Sequence, residues 1–123
     1  MINLLEKDDI ISGLLLEFRR GTIVLSVLCQ LTEPTYGYSL VQQLSDNKVP
    51  IEANTLYPLL RRLEKQGLLK SEWETSGAKP RKYYMTTELG TAVYQQLKIE
   101  WSQMVETMNN LMREENKNDG KSN

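Results

Sequence analysis

Apolar residues recur at helical spacing over most of the chain. From Ile2 to Phe18 the apolar positions are Ile2, Leu4, Leu5, Ile10, Ile11, Leu14, Leu15 and Phe18, and most of that spacing suits one face of a helix. Gly13 is a weak interior point, and Gly21, after Arg19 and Arg20, predicts a break. Thr22 to Leu31 is almost wholly apolar, so a second helix is expected there, buried on most sides. Glu33-Pro34 ends it, because the residue before proline avoids the helical region. Thr35-Tyr36-Gly37 reads as a turn. Tyr38 to Leu44 reads as a short helix with Leu40, Val41 and Leu44 inward, stopped by Ser45-Asp46-Asn47.

The run Asn54 to Leu69 has the clearest two-faced pattern. At about 100° per residue, Leu56, Leu59, Leu60 and Leu63 share one face, with Asn54, Pro58, Arg61 and Lys65 opposite. Asn54 or Glu52 can start this helix, and Pro58 fits within its first turn or so, where a missing amide hydrogen costs least. Gly67 is placed to cap the C-terminus in a left-handed conformation. Leu68 to Thr75 alternates loosely and predicts a strand, Ser76 to Pro80 a turn, and Arg81 to Met85 the returning strand of a two-stranded hairpin. Thr87 is a good N-cap for a last helix reaching about Glu115, with Glu88 favoured in its first turn. Leu97, Trp101, Met104, Met108 and Leu111 along it form a heptad-type seam. Lys117 to Asn123 reads as a polar, disordered tail.

Composition narrows the chemistry. The chain has 123 residues, no histidine and one cysteine, Cys29. That takes away the commonest general base and metal ligand, and with them Cys/His catalysis and ordinary zinc sites. No enzyme, metal or cofactor is expected. A lone cysteine, a buried small hydrophobe on this reading, and the lack of a long apolar run point to a cytoplasmic protein away from membranes. Net charge is −1, but Ala53 to Tyr83 holds seven Lys/Arg against three Asp/Glu, between acidic flanks. A basic middle is the footprint of an anion-binding surface.

After the N-terminal helix, three helices followed by a hairpin with a basic tip is the plan of a winged helix, in which the last of the three, here the Asn54 helix, enters the DNA major groove. Arginine can bond guanine and asparagine adenine, while lysine and hydroxyls suit phosphates. For one helix alone, a solvated charged face is the commoner meaning. Here Lys79, Arg81 and Lys82 on the following hairpin favour DNA.

These residues resemble the PadR family of bacterial transcriptional regulators. The resemblance runs from Gly21 to about Trp101, on the Tyr36-Gly37-Tyr38 turn, the Asn54-Thr55-Leu56-Tyr57-Pro58-Leu59-Leu60 run and Arg62-Leu63-Glu64-Lys65 with Gly67-Leu68-Leu69. It continues through Trp73, Lys79-Pro80-Arg81-Lys82-Tyr83-Tyr84 and Thr87 with Gly90. The single long C-terminal helix looks like the short subfamily, whose members dimerise through that helix and an N-terminal one.

The implied fold is mainly α with a small β-hairpin: an N-terminal dimer-contact helix (1–20), a winged-helix unit (21–86), a C-terminal dimerisation helix (87–115) and a tail (116–123). The implied protein is a homodimeric repressor on operator DNA. By position, Tyr38, Thr55, Tyr57 and Arg61 match places where the family meets DNA, with Lys79, Arg81 and Lys82 on the wing; Asn54, Arg62 and Lys65 complete the expected surface. Trp101 either packs the dimer or walls a cavity for a small hydrophobic effector, and Met104, Val105 and Met108 lie beside it. Trp73 is expected in the core. Asn54 departs from the family's glycine or serine, and Thr86 stands where a leucine usually precedes the cap, which would loosen that junction. The competing reading is a winged helix used as a protein-interaction module on an acidic partner.

Overall fold

The structure, a computed structural model, describes residues 1–120. The order of elements is α1 (Leu4–Gln30), β1 (Thr35–Tyr36), α2 (Gly37–Asp46), α3 (Ala53–Lys65), β2 (Leu69–Glu74), β3 (Arg81–Thr86) and α4 (Glu88–Gly120). It is a mainly helical winged helix with a small antiparallel sheet.

The expected break at Gly21 is absent. α1 is one helix of 27 residues, capped at its start by Asn3, whose side chain accepts from the amides of Leu5 and Glu6. Glycine costs only about 1 kcal/mol in a helix interior. With an open surface around Gly21, nothing forces the chain to turn there. The N-terminal arm and the winged unit therefore share a single rod.

The turn expected at Thr35-Tyr36 is instead a two-residue strand. It pairs with the far edge of β3, Thr35 opposite Tyr84 and Tyr36 opposite Tyr83, so the hairpin becomes a three-stranded sheet of order β1-β3-β2. β2 and β3 pair from Leu69–Thr86 to Glu74–Arg81.

One leucine-rich core holds the winged unit together. It consists of Val27, Leu28 and Leu31 from α1, Leu40 and Leu44 from α2, Leu56, Leu59, Leu60 and Leu63 from α3, and Leu69 and Tyr84 from the sheet. All four α3 leucines read from the sequence are in it. Burying one such side chain is worth about 1.5–3 kcal/mol.

The α3–β2 junction is a Schellman cap: Gly67 N donates to Glu64 O and Leu68 N to Leu63 O, both at 3.0 Å, with Gly67 at φ 83°. α2 ends the same way on a non-glycine residue, Lys48 at φ 64°. α4 starts where Thr87 Oγ1 accepts from Gly90 N at 3.0 Å and donates to Gly67 O at 2.6 Å. Thr86 does not leave this junction loose, since its amide donates to Leu31 O and its hydroxyl meets that of Thr91.

Two burial expectations are overturned. Trp73 is 61% exposed rather than in the core, because β2 runs past the core before reaching it. Cys29 is exposed, since its side of α1 faces away from the leucine core. Of the expected tail, 121–123 lie outside the described residues, and the bounds of α4 extend past Glu115 to Gly120.

Candidate nucleic-acid interface and apolar groove

The amphipathic pattern of α3 presents its polar side outward. Asn54, Thr55, Arg61, Arg62 and Lys65 are exposed, while the four leucines opposite are buried. Glu52 is the N-cap residue, so Asn54 and Thr55 stand in the first turn and Arg61 two turns on along the same outward side. Pro58 is the sixth residue of the helix, in its second turn rather than its first. Tyr57 is half-buried and packs against the core. A Cβ on Gly37 would come 3.0 Å from its ring, a tight contact, so this glycine favours the close approach of α2 and α3. The last turn of α3 is fixed to the wing by Ser71, whose hydroxyl donates to the Glu64 carboxylate.

The predicted wing residues do not form one free basic tip. Lys79 is exposed in the Ser76–Pro80 turn. That turn is held by Glu74, whose carboxylate accepts from the Ser76 amide and hydroxyl, which lowers its pKa below the ordinary value. Arg81 reaches back to α2 instead, donating to Tyr38 Oη at 3.3 Å. Lys82 is on the opposite face of β3, with its ammonium 5.8 Å from the Trp73 ring centroid and 5.5 Å from that of Tyr84. The sequence reading did not single out Tyr83, which sits on the Arg81 face. Its hydroxyl donates to Glu72 Oε2 at 2.7 Å, and that bond holds its pKa above the ordinary tyrosine value. The structure pairs Glu72 with Tyr83 across β2 and β3.

A second feature lies between α1 and α4. Trp101, Met104, Val105 and Met108, grouped from the sequence, all line an apolar groove of about 940 Å³. Its other wall is Phe18, Thr22, Leu25, Ser26 and Cys29 of α1, with Arg19 among the lining residues. Sequence reading missed this α1 wall because the run Thr22–Leu31 looked buried all round.

The family model for the "Transcriptional regulator PadR-like family" matches residues 24–96, well over half of the chain. The chain belongs to the PadR-like family of transcriptional regulators. Among solved structures, a PadR family transcriptional regulator from Eggerthella lenta is 54% identical, with a TM-score of 0.84, over 88% of this chain and 96% of that one. An uncharacterised protein of Lysinibacillus sphaericus is 33% identical over 86% of this chain and 94% of its own. A transcriptional regulator of Mycobacterium tuberculosis is 36% identical over 62% of this chain and 72% of its own. Bacillus subtilis PadR, solved in complex with operator DNA, shares the fold at a TM-score of 0.58 and 20% identity, over 63% of this chain and 46% of that one.

Membership in this family makes the protein a regulator of transcription rather than an enzyme. No helix among the described residues is long and apolar enough to cross a membrane.

Proposed function

We propose that this PadR-family chain is a cytoplasmic, homodimeric repressor that binds operator DNA through α3 and the wing. The observation that carries the reading is the outward row on α3. Asn54, Thr55, Arg61 and Lys65 stand exposed on a helix whose other side is locked into the core, and the hairpin that follows carries Lys79 in its turn. Arg61 and Asn54 have the chemistry for base edges, and Thr55, Arg62, Lys65 and Lys79 that for phosphates. The operator complex of the Bacillus subtilis relative, which has the same fold, supports DNA as the partner.

Dimerisation is supported by apolar surface that one protomer leaves open. Leu4, Leu5, Ile10, Ile11, Leu14, Leu15 and Phe18 of α1 and Met104, Met108 and Leu111 of α4 are all exposed. The accessible surface is 9429 Å², where a compact monomer of 14.2 kDa would show about 6,800 Å². Two copies packed through α1 and α4 cover this surface and set two α3 helices toward successive major grooves of a two-fold-symmetric site. A dimer seated on a promoter excludes polymerase from the same DNA, which is repression by occupancy. The groove beside Trp101 offers a small hydrophobic effector a place to bind and shift the dimer between states.

A random-sequence DNA selection with the full chain tests the reading. Enrichment of a two-fold-symmetric motif is the expected result. No enrichment would leave the winged helix as a protein-interaction module.

A further inference from the structure

The tyrosines on either side of Gly37 and the first residue of β3 form one aromatic–cation cluster. Tyr36, in β1, and Tyr38, in the first turn of α2, stack with ring centroids 5.7 Å apart and 13° between planes. Arg81 Cζ lies 5.7 Å from the centroid of each ring. Its Nη1 donates to Tyr38 Oη at 3.3 Å. Tyr83, on the same face of β3, meets Tyr36 edge-on at 6.1 Å and 88°, and its hydroxyl bonds Glu72 of β2 at 2.7 Å. A continuous chain of contacts thus runs from β2 through β3 and β1 into α2. The β1–α2 junction it closes over contains Gly37, which packs on Tyr57 of α3. The cluster therefore joins the turn end of the wing to the start of α2, and α2 in turn packs through Gly37 on α3, which carries the outward row.

We propose that Arg81 is a positioning residue, a clamp that holds the turn end of the wing to the start of α2 through Tyr38 and Tyr36. The wing and α3 then meet DNA as one preset surface, and the phosphates are left to residues such as Lys79. Its functional half rests on the DNA-binding reading above. Arginine suits the role because its planar guanidinium stacks on aromatic faces and hydrogen-bonds at its edge. All three clamp residues are near the surface, and none belongs to the leucine core. Their loss should loosen the sheet edge while the unit stays folded.

Two measurements on the full chain test the clamp, using Arg81→Ala, Tyr38→Leu and Lys79→Ala. In DNA-free protein, amide exchange across the β1–β3 pairing should quicken by roughly three- to tenfold in Arg81→Ala and Tyr38→Leu, as expected for losing cation–π contacts. Lys79→Ala should leave it unchanged. On operator DNA, Arg81→Ala should weaken binding by about the same factor while the slope of log affinity against log salt stays put. Lys79→Ala should make the slope shallower by about 0.9, the value for one phosphate contact. Unchanged exchange in Arg81→Ala would overturn the clamp, and so would a slope loss of about 0.9, which marks a phosphate ligand. If the wild-type chain selects no DNA motif, the repressor reading fails, and the exchange measurement still decides the clamp.

Discussion

Gly90 lies so close to Leu68 that a Cβ on it would stand 2.0 Å from the Leu68 carbonyl oxygen and 2.9 Å from its carbonyl carbon. Both neighbours are backbone, so neither can swing aside. The approach is held by hydrogen bonds on either side, Thr87 N to Leu68 O at 3.1 Å and Gly90 N to Thr87 Oγ1 at 3.0 Å. Here α4 is seated on the turn between α3 and β2, so the long helix and the α3–wing junction share one contact. Gly90→Ala should destabilise the fold by about 2–3 kcal/mol, the cost of overpacking. Thermal unfolding followed by circular dichroism would read this as a drop of roughly 10 °C. An unchanged melting temperature would mean that α4 is not seated there.

Arg61 is exposed on α3 and takes no part in the core, so its removal should spare folding. If it reads a base, Arg61→Ala should weaken operator binding by about 1–3 kcal/mol and relax preference at one position of the site. A gel-shift titration against the operator and its single-base variants measures both. Unaltered affinity in a folded mutant would remove Arg61 from base readout.

The parts of this fold legible in the sequence are those where periodicity and local chemistry agree. The α3 leucines, the left-handed Gly67, the Thr87 cap and the β2–β3 hairpin each follow from a short pattern, and each is where that pattern put it. What escaped depends on neighbours remote in sequence. β1 has two residues and no periodicity of its own; it is a strand only because the outer edge of β3 is there to pair with it. Gly21 is helical because a long helix outweighs one weak residue. Thr22–Leu31 looked uniformly apolar, yet Val27 and Leu28 face the core while Leu25, Ser26 and Cys29 face the groove. A hydrophobic run does not say which of its sides enters the core and which lines a groove. The candidate interface was legible as a list of residues. Strand alternation already sets Arg81 and Lys82 on opposite faces of β3, but the aromatic rings that hold each of them were not legible.

The wing turn should respond to acid through Glu74. Two donors from Ser76, hydroxyl and amide, lower the Glu74 pKa from the ordinary 4.5. A lowered folded-state value means that the contribution is present above 4.5 and is lost as pH falls through the folded pKa. The Ser76 amide resonance should therefore titrate with a midpoint below 4.5, and Ser76→Ala should return the Glu74 carboxyl toward 4.5. A wild-type midpoint at or above that value would show that the turn is not held by this carboxylate in solution.

The exposed half of α1 gives the last prediction. Ile11, Leu14 and Phe18 lie at helical spacing on a stretch that contributes nothing to the leucine core, and their exposures are 42%, 50% and 70%. In a lone protomer such a surface is a liability, because contiguous apolar patches of this size are rare on monomers. If a second copy covers it, Ile11→Asp with Leu14→Asp places two charges in an apolar seam. The penalty is several kcal/mol, since an unpaired charge is being desolvated. Sedimentation velocity should show the wild type as a dimer and the double variant as a monomer. The winged unit should survive the change, because its core draws on α1 only from Ile23 onward. Operator affinity should fall steeply even so, since a monomer presents a single α3 to a two-fold site. A double variant that still sediments as a dimer would place the interface elsewhere, with α4 and the Trp101 groove the next surface to substitute.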